Sequence, residues 1–221
     1  MATIGGPNIV EDGLVLYLDA ANQKSYPGSG TTWSDLSGNV NNGTLTNGPT
    51  FDSGNGGSIV FDGVNDKITI PHSNSIGMSD NFTFSILVKS SNWTIGNQEG
   101  LVQKGTISNY GAYLRGGSGT VSFYTTPTSF WAPGPNIGGD GKWYYLTFIY
   151  SYSQLGYKQI YSNGNFHAQL AITTPINTNT SAIDIGYAKV GSPQYLKAEV
   201  ANYILYNRVL TSQEILQNYN A

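Results

Sequence analysis

Residues 81–90 (NFTFSILVKS) alternate between two faces, with Phe82, Phe84, Ile86 and Val88 on one and Thr83, Ser85, Leu87 and Lys89 on the other. A period of two is that of a half-buried strand. Other runs repeat the theme. Residues 13–20 (GLVLYLDA) form an apolar stretch that fits a buried strand, and residues 142–151 (KWYYLTFIYS) are apolar on both faces, as a central strand would be. Residues 58–71 read as a hairpin around the turn Asp62 to Asp66. A second hairpin turns at Asn163-Gly164, a pair suited to tight strand reversal. Short β-rich runs at 100–105, 110–116, 120–126, 182–188 and 198–207 complete the set.

Two regions break the pattern. Residues 22–57 are polar and rich in Gly, Asn, Ser and Thr, which predicts loop with short strands. Trp33, Leu36, Leu45 and Phe51 are the expected pins that hold this stretch to the core. Near the end, Thr211-Ser212-Gln213-Glu214 has the spacing of a capping box, and Ile215, Leu216 and Tyr219 follow at helical spacing. One short C-terminal helix is predicted. No linker and no internal repeat divides the chain. Many short strands with Gly-rich turns predict an all-β, two-sheet antiparallel sandwich. Residues 1–12 are expected to form an N-terminal arm ahead of one domain over 13–221, and the arm is the expected docking element for a larger particle or a homo-oligomer.

Composition narrows the function. The chain has 221 residues and no cysteine, which removes disulfides, thiolate metal sites and a Cys nucleophile. Only 10% of residues are charged, the net charge is −3, and the ten Lys and Arg are scattered, so nucleic acid is not an expected partner. No apolar run approaches the roughly 18 residues of a membrane span. The N-terminus lacks the basic and apolar regions of a secretory signal. The four Glu (Glu11, Glu99, Glu199, Glu214) form no catalytic carboxylate motif, and His72 and His167 sit in no recognisable nucleophile setting, so the expectation is a non-enzyme.

Taken in order, GLVLYLDAAN, TTWSDLSGNVNNGTL, SIVFDGVNDKITIP, NFTFSILVKS, GKWYYLTFIY, YSNGNF and AEVANYILYNRVLTSQEI resemble the laminin-G-like, concanavalin-A-like jelly-roll superfamily. The opening, MATIGGPNIVEDGLVLYLDAANQKSYPGSGTTWSDLSGN, resembles laminin-G-like structural proteins of tailed bacteriophages, including those of cyanobacteria. The resemblance implies a jelly roll displayed on a virion surface, in capsid decoration or tail. Its partners would be other virion proteins and host surface polysaccharide. A cell-surface or free carbohydrate-binding module is the alternative, and a polysaccharide-degrading enzyme of this fold is a third.

Two candidate sites follow. Trp93, Tyr110, Tyr113, Tyr124 and Trp131 fall in or beside expected loops, where an aromatic face could stack on a sugar. The same rings could instead fill the core or a subunit contact. Asp62, Asn65 and Asp66 offer hard oxygen ligands within one turn, and the resemblance adds calcium as the candidate cofactor, with Glu199 on the penultimate strand as a further ligand. Ordinary turn chemistry, with side chains bonding their own backbone, accounts for the same residues.

Overall fold

A computed structural model describes residues 7–90, 98–105, 109–115, 119–126, 132–137, 139–177 and 179–221. In chain order the first strands are β1 (Leu14–Asp19), β2 (Thr32–Trp33), β3 (Gly43–Thr46), β4 (Thr50–Asp52), β5 (Ser58–Val60), β6 (Lys67–Ile70) and β7 (Asn81–Lys89). Next come β8 (Glu99–Lys104), β9 (Tyr110–Arg115), β10 (Thr120–Thr125), β11 (Ala132–Asn136), β12 (Trp143–Ser151), β13 (Tyr157–Ser162) and β14 (Asn165–Ala171). The last are β15 (Ile183–Ile185), β16 (Tyr187–Val190), β17 (Ser192–Tyr195) and β18 (Glu199–Tyr206), followed by the helix α1 (Ser212–Asn220).

These strands make two antiparallel sheets. One runs β14-β13-β12-β7-β18-β5-β4, with β1 also paired to β18; the other runs β11-β10-β9-β8-β15-β6-β3-β2. The alternation of β7 explains how they meet. Phe82, Phe84, Ile86 and Val88 all point into the space between the sheets and are fully buried. Phe84 stacks on Phe148 of its own sheet at 4.7 Å and meets Phe123 of the other edge-on at 5.6 Å. Trp33 and Leu45 are buried in the same core, so both serve as the expected pins of the polar N-terminal stretch.

The opposite face of β7 is not solvated, unlike the half-buried strand its pattern predicts. Thr83 and Ser85 are buried there. The Thr83 hydroxyl donates to the carbonyl of Arg208 and accepts from the amide of Leu210. A second apolar cluster of Val10, Ile149, Tyr161, Ile204, Tyr206, Leu210 and Ile215 closes over this face. It docks the chain's two ends together. The amide of Val10 donates to Asn218 Oδ1, the Tyr206 hydroxyl donates to the carbonyl of Val10, and Gln217 Nε2 donates to the carbonyl of Asn8. Residues 8–10 are thereby tied to the domain, because Val10 has apolar surface to bury and its backbone groups find partners. The arm's residues 1–6 lie outside the described residues.

Candidate functional site

The antiparallel pair β16–β17 stands apart from both large sheets and packs against β8. Its seat is Gly100: a Cβ there would fall 2.4 Å from the amide nitrogen of Ala188, so the hairpin backbone rests where a side chain would be. Backbone bonds hold it down, with Gly186 N donating to Leu101 O and Leu196 N to Gly186 O, both at 3.0 Å. Lys189 N also donates to Gln103 Oε1 at 2.7 Å. Gly186 has φ +79° and lies against the Phe61 ring, two constraints that only glycine satisfies together.

Between this hairpin, the turn after β5 and the start of β8 lies a cleft of about 440 Å³. Gln98, Glu99, Gln194, Tyr195 and Lys197 line it, together with Gly63 and Val64. Glu99 is buried and its Oε2 accepts the amide of Lys197 at 2.9 Å, which fixes the floor. The side-chain carbonyls of Gln98 and Gln194 are shielded from water and have no hydrogen-bond partner. Buried polar atoms of this kind are costly unless something pairs with them.

Among the described lining residues one is aromatic, Tyr195. Tyr195 sits directly across the β16–β17 ladder from Tyr187, with ring centroids 5.2 Å apart. The Lys67 ammonium lies 5.2 Å from the Tyr187 ring centre and is tied to Asp184, which also accepts from Thr69 at 2.6 Å. Burial, and then the neighbouring Tyr195 and Asp184, raise the Tyr187 hydroxyl above the usual phenol range. A chain of contacts from Asp184 through Lys67 and Tyr187 thus braces Tyr195.

The aromatics predicted from the sequence lie elsewhere. Tyr110 is on β9 with its ring 4.6 Å from Phe82, inside the core, so no face is left for a sugar. Tyr113 is also on β9 and only 1% exposed, its ring lying along the strand over Gly111 and edge-on to Tyr124. Both lie in the β-rich run expected at 110–116, and Gly111 lets the Tyr113 ring fold down onto its own strand. Tyr124 is half-buried on β10. Trp93 and Trp131 lie outside the described residues.

The calcium candidates do not converge. Asp62 Oδ1 accepts the amides of Val64 and Asn65, and Asp66 Oδ2 accepts the amide of Asp62, which is turn chemistry. Those amides hold the Asp62 carboxyl below its ordinary range, whereas burial pushes Asp66 up. Asp66 Oδ1 is buried without a partner. Glu199 is committed to Lys89 at 2.8 Å and to the Ser58 hydroxyl at 3.0 Å, in a hollow of about 180 Å³ beside the cleft. Among the described residues no three His, Asp or Glu are grouped to hold a metal ion.

Sequence reasoning missed the cleft residues. Gln98 and Gln194 are far apart in the chain, and no spacing rule joins them. One signal was present: Tyr187 and Tyr195 flank Gly191 symmetrically, as cross-strand partners in a hairpin must.

A family model described as the concanavalin A-like lectin/glucanases superfamily matches residues 62–216. No curated protein sequence matches the chain. Among solved structures, the binding domain of Paraclostridial Mosquitocidal Protein 1 is similar at TM-score 0.74 and 19% identity, over 95% of this chain and 52% of that one. Domain 4 of AbnA, a GH43 extracellular arabinanase from Geobacillus stearothermophilus in complex with arabinotriose, is similar at TM-score 0.71 and 19% identity, over 96% of this chain and all of that domain. Trypanosoma rangeli sialidase is similar at TM-score 0.69 and 16% identity, over 94% of this chain and 32% of that one. The chain spans about half the length of the toxin binding domain.

Proposed function

Because this chain belongs to the concanavalin A-like lectin/glucanases superfamily, we propose that it is a non-catalytic carbohydrate-binding domain whose site is the β16–β17 cleft. The observation that carries the reading is the pair of unpartnered amide carbonyls, Gln98 and Gln194, in a cleft that also presents Tyr195. Once the two glutamine side chains turn toward the cleft, sugar hydroxyls supply the donors these carbonyls lack, and an aromatic face takes the C–H surface of a pyranose. The volume falls within the range of small-ligand sites. Glycoside hydrolysis needs two facing carboxylates, and Glu99 is the one carboxylate among the described lining residues. The arabinanase domain's complex with arabinotriose supports a sugar-binding reading of this fold.

Binding to an array of neutral and acidic oligosaccharides, arabinotriose included, tests the proposal. Saturable binding that Tyr195→Ala and Gln194→Ala each weaken about tenfold, or ~1.4 kcal/mol, is the expected result. An array with no saturable signal, or variants that bind as the parent does, would sink it. EDTA is expected to leave binding unchanged, since the residues of the Asp62 turn bond their own backbone; loss of binding in EDTA would restore calcium to the site.

We further propose that the domain is displayed on a bacteriophage particle, in capsid or tail. The resemblance of its opening residues supports this placement. Immunogold labelling of purified particles tests it, and unlabelled particles would refute it.

A further inference from the structure

The strands give the sandwich two distinct ends. β7 runs from Asn81 to Lys89 and β18 returns from Glu199 to Tyr206, paired so that Lys89 faces Glu199 and Thr83 faces Tyr206. The cleft lies at the Lys89–Glu199 end, where Lys197 lines both it and the neighbouring hollow. At the other end, about 25 Å away by the rise of a β-strand, are two adjoining hollows of about 380 and 250 Å³ that share Asn74 and Gly77. Asp80 and Asn207 wall the first; His72, Asn179 and Thr180 wall the second.

The chemistry of these walls is polar and almost uncharged. Asp80 is already occupied, accepting from the amide of Ser153 and from Asn81 Nδ2, both at 2.9 Å, and from the Ser153 hydroxyl. His72 Nδ1 faces the Lys104 ammonium at 3.4 Å. An ammonium only donates, so Nδ1 accepts and the ring proton of the neutral imidazole sits on Nε2. Lys104 itself is fully buried and donates to the carbonyl of Ser181 at 2.8 Å, so it presents no cation to a ligand. Asn179 uses its Oδ1 to accept the amide of Ser181, while its Nδ2 is shielded from water without a partner. Asn74 and Thr180 are exposed. The groove therefore mixes amide and hydroxyl donors and acceptors, has no exposed cation for an anion among its described lining residues, and offers little apolar surface to a lipid or an apolar peptide.

From this juxtaposition we propose that the groove at the Asn74–Asn207 end is a second site for neutral oligosaccharides, so that one domain bridges two glycan chains. The bridging, though not the groove itself, rests on the reading of the first cleft. Two sites at opposite ends cannot share one short ligand, and they would cross-link a polysaccharide with an avidity that neither has alone.

The test is a titration of the isotopically labelled protein with neutral di- to hexasaccharides of arabinose, xylose, glucose, mannose and galactose, followed by amide chemical shifts. The expected result is two sets of shifting amides, one around Gln194 and Tyr195 and one around Asn74 and Thr180. Asn74→Ala combined with Thr180→Ala weakens the second set at least tenfold and spares the first; Tyr195→Ala does the reverse. Both variants alter exposed or half-buried side chains, and their amide spectra report whether they fold. Shifts confined to the cleft end would overturn the second site and leave the first. Shifts confined to the Asn74 end would establish the groove and overturn the first reading. No shifts with any sugar of the panel would overturn both.

Discussion

At the scale of single residues, the closure of the C-terminus rests on four side chains. Thr211 and Glu214 complete the capping box: the amide of Thr211 donates to Glu214 Oε2 at 2.7 Å and the amide of Glu214 donates to Thr211 Oγ1 at 3.3 Å. Arg208 adds an ion pair to Glu214 at 2.6 Å and another to Asp12 at 2.8 Å. Arg208, foremost, pulls the Glu214 carboxyl down to about 2, from 4.5. A depressed carboxyl stabilises the fold above its unfolded pKa and loses that contribution as pH falls through the folded one. Stability should therefore drop between about pH 4.5 and 2, and Arg208→Met should remove part of that drop; an identical acid limb in urea titrations would count against the pair. Thr211→Ala should destabilise by about 1 kcal/mol at pH 7. The capping box was legible in the sequence because Thr211 and Glu214 lie three residues apart; the Arg208 pairs, which span longer separations, were not. The cleft was not, since its unpartnered amides come from Gln98 and Gln194 on separate strands.

At the scale of elements, alternation foretold β7 and its inward face but not what covers the outward one. The cover comes from residues 9–10 and 209–215, and burial by a distant segment leaves no period in the strand it covers. For the same reason the sequence could not separate loop aromatics from core ones: Tyr110 sits near a chain reversal yet fills the sandwich. The β16–β17 hairpin leaves no readable period, because each of its strands is only four residues long. Its position depends on Gly100, whose missing side chain admits the hairpin backbone. Gly100→Ala should push the hairpin away, lower Tm by several degrees and weaken sugar binding at least tenfold, with the core still cooperative in its unfolding. A variant that bound normally would show that the hairpin does not form the cleft wall.

For the whole molecule, the sandwich encloses two lysines whose ammonium groups burial holds below their ordinary range. Lys104 and Lys158 are both fully buried. Lys104 meets a carbonyl and an imidazole; Lys158 meets the Thr125 hydroxyl at 3.3 Å and lies 5.5 Å from the Phe123 ring centre. Burial pushes each ammonium down to about 8 from 10.5. Between those values the unfolded chain binds more protons than the folded one, so stability rises with pH across that window. The rise must end near pH 10, because burial raises several tyrosines, Tyr110 and Tyr145 among them, and their ionisation in the unfolded state then favours unfolding. Urea midpoints measured from pH 7 to pH 10 should climb by an amount equivalent to roughly 1–3 kcal/mol per lysine. Lys104→Met should raise the pH 7 midpoint and lessen the climb, since an apolar chain of similar length needs no desolvation of a charge. A parent profile that stays level from pH 7 to 10 would mean that both ammonium groups are better solvated than their burial implies.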